Sequence, residues 1–156
     1  MGLIADAVAF ARRGENEKVI ARMPSGWAVM GDVQFLPGYC VLVPDPVVAT
    51  LNDLDEAGRA EYLRDMVRLG DAILGVTSAE RINYEILGNS APELHAHLFP
   101  RYATEPPELR SGPAWFYDWE TGPEYDARIH GELQEALRQA LADAGFDATE
   151  SAGAAS

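Results

Sequence analysis

ELHAHLFPR, residues 93–101, decides the fold, because it holds two of the chain's three histidines in an alternating polar and apolar run. In a β-strand, side chains two residues apart lie on the same face. The pattern therefore predicts that Glu93, His95 and His97 project together from one face, while the apolar residues between them point into the core. We expect two imidazoles and a carboxylate to meet on one polar surface.

One use of such a surface is metal binding, because neutral imidazoles are common metal ligands. A metal-binding barrel strand would carry a further acid a few residues downstream, whereas the next carboxylate after the histidines is Glu105. The remaining histidine, His130, lies in a segment whose apolar residues recur at helical spacing. The pattern therefore favours a site without a resident metal.

The alternative is nucleophilic catalysis, in which one imidazole attacks a phosphorus atom and forms a covalent phosphoramidate that an acceptor then releases. This chemistry needs an unprotonated ring nitrogen that faces outward, and a partner that fixes the tautomer. It also needs donors for the phosphate oxygens. The turn Gly88-Asn89-Ser90 precedes the histidines and could supply such donors.

The stretch resembles the signature of the histidine triad (HIT) nucleotide-binding proteins, His-x-His-x-His followed by apolar residues and often Pro-Arg. With Pro100-Arg101 as the reference, His97 matches the third histidine and His95 the middle one, which in the family is the nucleophile. Glu93 replaces the first histidine, which in the family supports the other two. A carboxylate there either orients an imidazole, pairs with an arginine such as Arg101, turns to solvent, or repels an anionic substrate.

Three further segments resemble the family in its order: WAVMGD at 27–32, FLPGYCVLVP at 35–44 and INYEI at 82–86. The resemblance implies that Asp32 holds the ribose hydroxyls and that Asn83 contacts phosphates. The other phosphate-positioning groups implied by it are Ser90 and the backbone near Gly88 and Asn89.

The resemblance implies an α+β HIT-like fold, an antiparallel sheet of about five strands with a long helix packed on it and a C-terminal helical extension. It also implies a homodimer that acts at the α-phosphorus of a purine nucleotide conjugate, such as a dinucleoside polyphosphate or a nucleoside phosphoramidate. His95 would attack and His97 would bond a phosphate oxygen. No cofactor is expected beyond a divalent cation bound with the substrate. The alternative is a nucleotide-binding protein whose catalysis Glu93 has weakened.

Composition limits the remaining possibilities. At 156 residues with 47% hydrophobic content, the chain fits a single domain at 1–146 and a flexible tail at 147–156. A net charge of −13 argues against nucleic acid and anionic membranes as partners, because both require clustered Lys and Arg. The single cysteine, Cys40, forms no intrachain disulfide. The N-terminus does not read as a secretory signal, which indicates a cytoplasmic protein.

The pattern along the chain predicts a short helix from Leu3 to Arg13 and strands between Val19 and Pro44. Asp53 and Glu56 resemble a capping box that opens a helix to about Gly75. Its predicted apolar stripe consists of Leu63, Met66, Leu69, Gly70, Ile73 and Leu74. Further elements are strands at 81–87 and 94–102 and a helix at 127–144. The aromatic cluster between Trp115 and Trp119 either packs on the body of the protein or clamps a base.

Overall fold

The structure is a computed structural model that describes residues 2–146, so the predicted tail at 147–156 lies outside the described residues. The helices are α1 (Leu3–Arg12), α2 (Glu56–Val76), α3 (Pro107–Arg110) and α4 (Ala127–Asp143). The strands are β1 (Val19–Met23), β2 (Gly26–Met30), β3 (Cys40–Pro44), β4 (Arg81–Glu85) and β5 (Ala96–Arg101). Short 3-10 turns occur at Leu51–Asp53 and Ala114–Phe116.

The five strands form one antiparallel sheet in the order β1-β2-β3-β5-β4. The last strand in sequence, β5, therefore lies between β3 and β4, and β4 is at an edge. Helix α2 connects β3 to β4 across one face of the sheet. This arrangement confirms the predicted α+β fold with a five-stranded antiparallel sheet and a long helix.

Alternation along the strands divides the sheet into two different faces. Ala28, Leu42 and Leu98 belong to one face, where they are fully buried in a core completed by α2 and α4. The opposite face carries Val41 and His97, which are directly paired across β3 and β5. Helix α1 packs on one part of this second face, and aromatic residues pack on another.

Helix α2 begins later than predicted. Its N-cap is Asp55, whose carboxylate accepts a hydrogen bond from the Gly58 amide at 2.7 Å. Asp53 instead accepts hydrogen bonds from the amide and hydroxyl of Thr50, in the preceding 3-10 turn. Leu54 has extended backbone angles, so it separates the 3-10 turn from α2. The expected start at Asp53 was wrong, because Asp53 belongs to a capping box of the 3-10 turn, whose N-cap is Thr50, and Asp55 caps α2.

The buried face of α2 also differs from the predicted stripe. Leu63 and Leu74 are exposed, whereas Tyr62 and Asp65 are fully buried. The Tyr62 hydroxyl donates to the carbonyl of Leu42 at 2.8 Å, and the Asp65 carboxylate accepts from the Ser25 amide at the same distance. Hydrogen bonding thus allows two polar side chains to occupy core positions that a purely apolar pattern does not identify.

The C-terminal helix forms as predicted, and α4 ends at Asp143 before Gly145. It packs on α2 and on β1, and the Gln134 amide donates to the carbonyls of Glu17 and Val19. Within residues 2–146, none of the helices is both long and apolar enough to cross a membrane.

Candidate functional site

A cavity of about 610 Å³ opens on the second face of the sheet. One wall is α1, which contributes Leu3, Ile4, Ala7 and Phe10. The floor is formed by residues of β2 and β3 together with the two histidines, and Trp115 and Trp119 close the other side. The predicted histidine pair therefore lies inside a cavity rather than on an open strand surface.

His95 lies at the base of this cavity, with 9% of its surface exposed. Its Nδ1 atom is 2.7 Å from the backbone carbonyl oxygen of Glu93. A carbonyl can only accept, so Nδ1 carries the proton and donates it. The neutral ring then has an unprotonated Nε2 with a lone pair, which is the form that a histidine nucleophile requires.

His97 is held by a different partner, the hydroxyl of Tyr39, which is 2.6 Å from its Nδ1 atom. Burial raises the pKa of Tyr39 far above its usual range, so the phenol keeps its proton and donates it to Nδ1. This leaves the proton of the neutral ring on Nε2, as a donor available to the cavity. Burial first, and then the neighbouring His95, lowers the pKa of His97 to about 4.

The two imidazoles lie close together in an aromatic surrounding. Their ring centroids are 4.8 Å apart with the planes nearly perpendicular. Phe99 is parallel to the His97 ring at 5.7 Å, and Trp115 meets that ring edge to face at 5.0 Å. The pair therefore combines one acceptor nitrogen, on His95, with one donor nitrogen, on His97.

The aromatic segment is divided between the cavity and the body of the protein. Trp115 and Trp119 stack on each other at 4.7 Å and line the cavity. The indole of Trp115 also donates a hydrogen bond to Glu85. Tyr117 instead stacks on Phe35, at 4.6 Å, and Phe116 is exposed. Two of the aromatic residues thus form a cavity wall, and the Tyr117 ring packs against the body of the protein.

The mouth of the cavity carries Asp32 and Lys18, the only lysine of the chain. The Asp32 carboxylate accepts from the Lys18 ammonium at 2.7 Å, although 70% of the Asp32 side chain is exposed. Asp32 and the two histidines therefore line the same cavity.

Glu93 does not join the two imidazoles as expected. Strand β5 begins only at Ala96, since its pairing with β3 ends at the Leu42–Ala96 pair and the Leu94 amide donates instead to the carbonyl of Val48. The Glu93 side chain lies against Gly2, at the start of α1. Within residues 2–146, it makes no hydrogen bond to His95 or His97.

Glu93 does not pair with Arg101 either, which was one of the alternatives left open for its carboxylate. The Arg101 guanidinium is buried and forms an ion pair with Glu105, at 2.9 Å. It also donates to Asn83 at 2.8 Å. Arg101 therefore already has partners on its own side of the sheet.

The predicted phosphate-positioning residues lie outside the wall of the cavity. Asn83 lies on β4 opposite Phe99, with its side-chain oxygen engaged by Arg101. The turn Gly88-Asn89-Ser90 does not line the cavity, but the next residue, Ala91, does. A ligand that bridges the His95 ring and this turn would have to extend past Ala91.

Two parts of the site were missed in the sequence. Tyr39 lies within the segment FLPGYCVLVP, and the available signal was that a tyrosine between a turn glycine and an apolar strand can face a neighbouring strand. The α1 wall was read as an ordinary short helix, although Leu3 and Phe10 remain exposed on it. The available signal in the sequence was that eight of the ten residues of α1 are apolar, more than one buried face of a short helix requires.

Among residues 2–146, no three His, Cys, Asp or Glu side chains come together in a way that could hold a metal ion. His130 is remote from the cavity lining and accepts a hydrogen bond from the Asp126 amide through Nδ1, at 2.9 Å. It caps the local structure at the start of α4.

The fold was compared with known proteins. No protein-family model matches the chain, and no curated protein sequence matches it. A histidine triad protein from Bradyrhizobium japonicum superposes with a TM-score of 0.71 at 25% identity, over 83% of this chain and 94% of that one. A histidine triad protein from Marinobacter aquaeolei has a TM-score of 0.70 at 19% identity, over 80% and 88% of the two chains.

A third similar structure is a hypothetical histidine triad nucleotide-binding protein from Sulfolobus tokodaii, with a TM-score of 0.68 at 16% identity. The match covers 88% of this chain and 92% of the Sulfolobus protein. These three matches extend over most of each protein. The chain therefore has the fold of the histidine triad (HIT) proteins.

Proposed function

We propose that the protein is a nucleotide hydrolase or nucleotidyl transferase that acts at the α-phosphorus of a nucleotide conjugate. The observation that carries this proposal is the state of His95, whose Nδ1–H is bound by the Glu93 carbonyl at 2.7 Å. Its other nitrogen is therefore free to attack within the cavity. The HIT fold and the nucleotide-binding neighbour support the same class of ligand.

The proposed reaction has two steps. First, Nε2 of His95 forms a bond to the α-phosphorus, and the bond from phosphorus to the leaving group breaks, so that the leaving group departs with the electron pair and takes up a proton. Second, water or another acceptor attacks the phosphorus and releases a proton to solvent, which balances the proton taken up by the leaving group, and the bond to His95 breaks with its electron pair returning to Nε2. His97 donates through Nε2 to a phosphate oxygen during both steps, where it stabilises the developing negative charge.

The remaining roles follow from the position of each residue. Asp32 would hold the ribose hydroxyls at the mouth, and the apolar side chains of α1 and β2 would contact a purine base. Asn83, Ser90 and the backbone of Gly88 and Asn89 remain proposed phosphate contacts. A dinucleoside polyphosphate and a nucleoside phosphoramidate are the two substrate classes to compare.

The first experiment is a release assay. The purified protein is mixed with adenosine and guanosine dinucleotides and phosphoramidates, and nucleoside monophosphate is followed by chromatography. We expect release by the parent, and a loss of more than about a thousandfold in His95→Ala. Release by both proteins at the same rate would exclude His95 as the nucleophile. Circular dichroism of both proteins shows whether a loss reflects chemistry rather than unfolding.

The second candidate is a nucleotide-binding protein with little catalysis. Glu93 in place of a family histidine favours this candidate. The pairing of Lys18 with Asp32 favours it too, because the ammonium group in the cavity wall is then already neutralised by a carboxylate. Calorimetric binding of AMP without release from any conjugate would support this candidate. In that case Glu93→His should raise turnover more than about tenfold, a gain of over 1.4 kcal/mol in transition-state binding.

We propose that no resident cofactor is needed and that any divalent cation enters with the substrate. Prior dialysis against EDTA should then leave turnover of a phosphoramidate unchanged. A loss that only added metal restores would contradict this. We also propose a cytoplasmic location, to be tested by cell fractionation.

A homodimer is proposed on a separate observation. Leu63, Val67 and Leu74 are exposed on α2, next to the edge strand β4. Exposed apolar side chains beside an open strand edge are typical of a protein interface. Light scattering should give twice the chain mass for the parent, and Val67→Asp should shift the protein toward the monomer. A monomeric parent would overturn the proposal.

A further inference from the structure

The Glu93 carboxylate has an unusual position. Its Oε1 atom lies so close to Gly2 that a Cβ atom on that residue would be 1.5 Å away. Its Oε2 atom is buried and, within residues 2–146, accepts no hydrogen bond. A buried carboxylate oxygen without a partner is costly, so such a group usually has a specific role. Only glycine at position 2 allows the carboxylate to lie there.

The segment next to this carboxylate is the beginning of α1. The first hydrogen bond of the helix runs from the Asp6 amide to the Gly2 carbonyl, at 3.0 Å. The amides before Asp6 therefore have no partner in the helix, and the N-terminal end carries a partial positive charge. A carboxylate next to that end is electrostatically favourable, and no side chain of α1 caps it.

The other end of α1 has its own attachment to the sheet. The Arg12 guanidinium forms an ion pair with Asp45, and its Nε atom is 3.0 Å from Oδ2 of that residue. The indole of Trp27 donates to the same carboxylate at 2.9 Å. Helix α1 is thus attached by Arg12 at its C-terminal end and contacted by Glu93 at its N-terminal end. The helix between them forms one wall of the cavity.

We infer that Glu93 is a positioning residue whose side chain holds the first turn of α1 against the cavity while its main-chain carbonyl orients His95. One residue thereby connects the ligand-contacting wall to the nucleophile. The functional part of this inference rests on the proposed function. The Glu93 carboxylate is then a determinant of ligand binding rather than a substitute for the first histidine of the triad.

The inference separates substrate binding from turnover. Glu93→Ala removes the contact with α1 but keeps the carbonyl that binds the His95 Nδ1–H. We expect KM for the substrate to rise about fivefold to tenfold while kcat stays within about twofold. A role that merely supports folding would not produce this division. A lower kcat at unchanged KM would overturn the inference, because the carboxylate would then act on the reacting atoms.

The same contact can be broken from its other side. In Gly2→Ala the new methyl group must displace the flexible end of Glu93, so its effect on KM should match that of Glu93→Ala. The double variant should be no worse than either single variant, because both remove one contact. Additive effects would contradict the inference. Gly131→Ala is the matched control, because a Cβ atom there meets nothing within 4 Å and KM should not change.

A direct measurement does not depend on catalysis. Hydrogen exchange followed by mass spectrometry should show faster exchange in the peptide that covers α1 in Glu93→Ala and Gly2→Ala, and parent rates in Gly131→Ala. Unchanged exchange in α1 would overturn the inference even if the protein is an enzyme. Faster exchange with no turnover in the parent would retain the anchoring of α1 and reject the proposed reaction alone. The affinity for AMP then replaces KM as the functional measurement.

Discussion

The two faces of the sheet are covered in different ways. On the first face, two long helices bury a continuous set of small and branched side chains, among them Ala28, Leu42 and Leu98. On the second face, α1 and the aromatic segment cover separate parts, and the cavity with both histidines lies between them. The same five strands thus carry a complete core on one face and an incomplete cover on the other.

This difference shows how the fold separates stability from function. A continuous core tolerates little change in volume, because each lost methylene group leaves a cavity. A face covered by separate pieces can hold a ligand-sized space, and its polar groups can remain partly hydrated. Strand alternation places His97 on this second face, so its chemistry is one residue away from the core position of Leu98, and His95 lines the same cavity from the segment just before β5.

The largest expected effect on stability contrasts neighbouring residues of β3. Leu42 is fully buried under α2, whereas Val41 is only partly buried and lines the cavity. Leu42→Ala should lower the free energy of unfolding by about 3 kcal/mol, and Val41→Ala by about 1 kcal/mol. Urea unfolding followed by circular dichroism measures both. Equal losses would show that the second face is packed as completely as the first.

The second prediction concerns the pH dependence of stability. The pKa of His97 is about 4 in the folded protein, against a usual value of 6.5. Between these values the unfolded chain binds a proton that the folded protein does not bind, so stability falls as pH falls from 6.5 to 4. The expected loss is on the order of 2 kcal/mol, after allowance for the partial exposure of the ring.

The control for this pH effect is His97→Gln, which cannot titrate in the window. Its free energy of unfolding should change less than that of the parent between pH 6.5 and 4. Carboxylates contribute to the loss of stability at lower pH than His97 does. The hydrogen bond from Arg12, for example, lowers the pKa of Asp45 below its usual 3.8. Identical slopes in parent and variant would assign the acid sensitivity to groups other than His97.

The third prediction tests the hydrogen bond between Tyr39 and His97. In Tyr39→Phe the ring remains, but Nδ1 of His97 loses its donor and the proton of the ring is no longer confined to Nε2. We expect turnover to fall about tenfold, equivalent to about 1.4 kcal/mol, with a smaller loss of stability. Leu36→Ile, a volume-conserving change in the same aromatic cluster, is the control and should keep turnover. Full turnover in Tyr39→Phe would show that the tautomer is held in another way.

The sequence predicted the first face better than the second. Alternation in β5 and helical spacing in α4 are local patterns, and both elements were found close to the predicted positions. Glu93 was placed wrongly because alternation applies only within a strand, and the pairing of β5 with β3 already ends at Ala96, three residues after Glu93. The contacts of Tyr39 with His97 and of Glu93 with Gly2 join residues far apart in the sequence, so no local pattern indicates them.

The smallest expected effect on stability concerns the mouth of the cavity. The pair of Lys18 and Asp32 is exposed, so Asp32→Ala should change the free energy of unfolding by less than about 1 kcal/mol. If Asp32 holds ribose hydroxyls, the same change should weaken AMP binding severalfold, with little effect on a deoxyribose analogue that lacks the hydroxyl. Lys18→Gln removes the ammonium but leaves the carboxylate, so it should retain the preference for ribose. Equal affinity of parent and Asp32→Ala for AMP would remove Asp32 from the site. A loss shared by both nucleotides would instead indicate a general electrostatic effect, because only a hydrogen bond to the ribose distinguishes the two ligands.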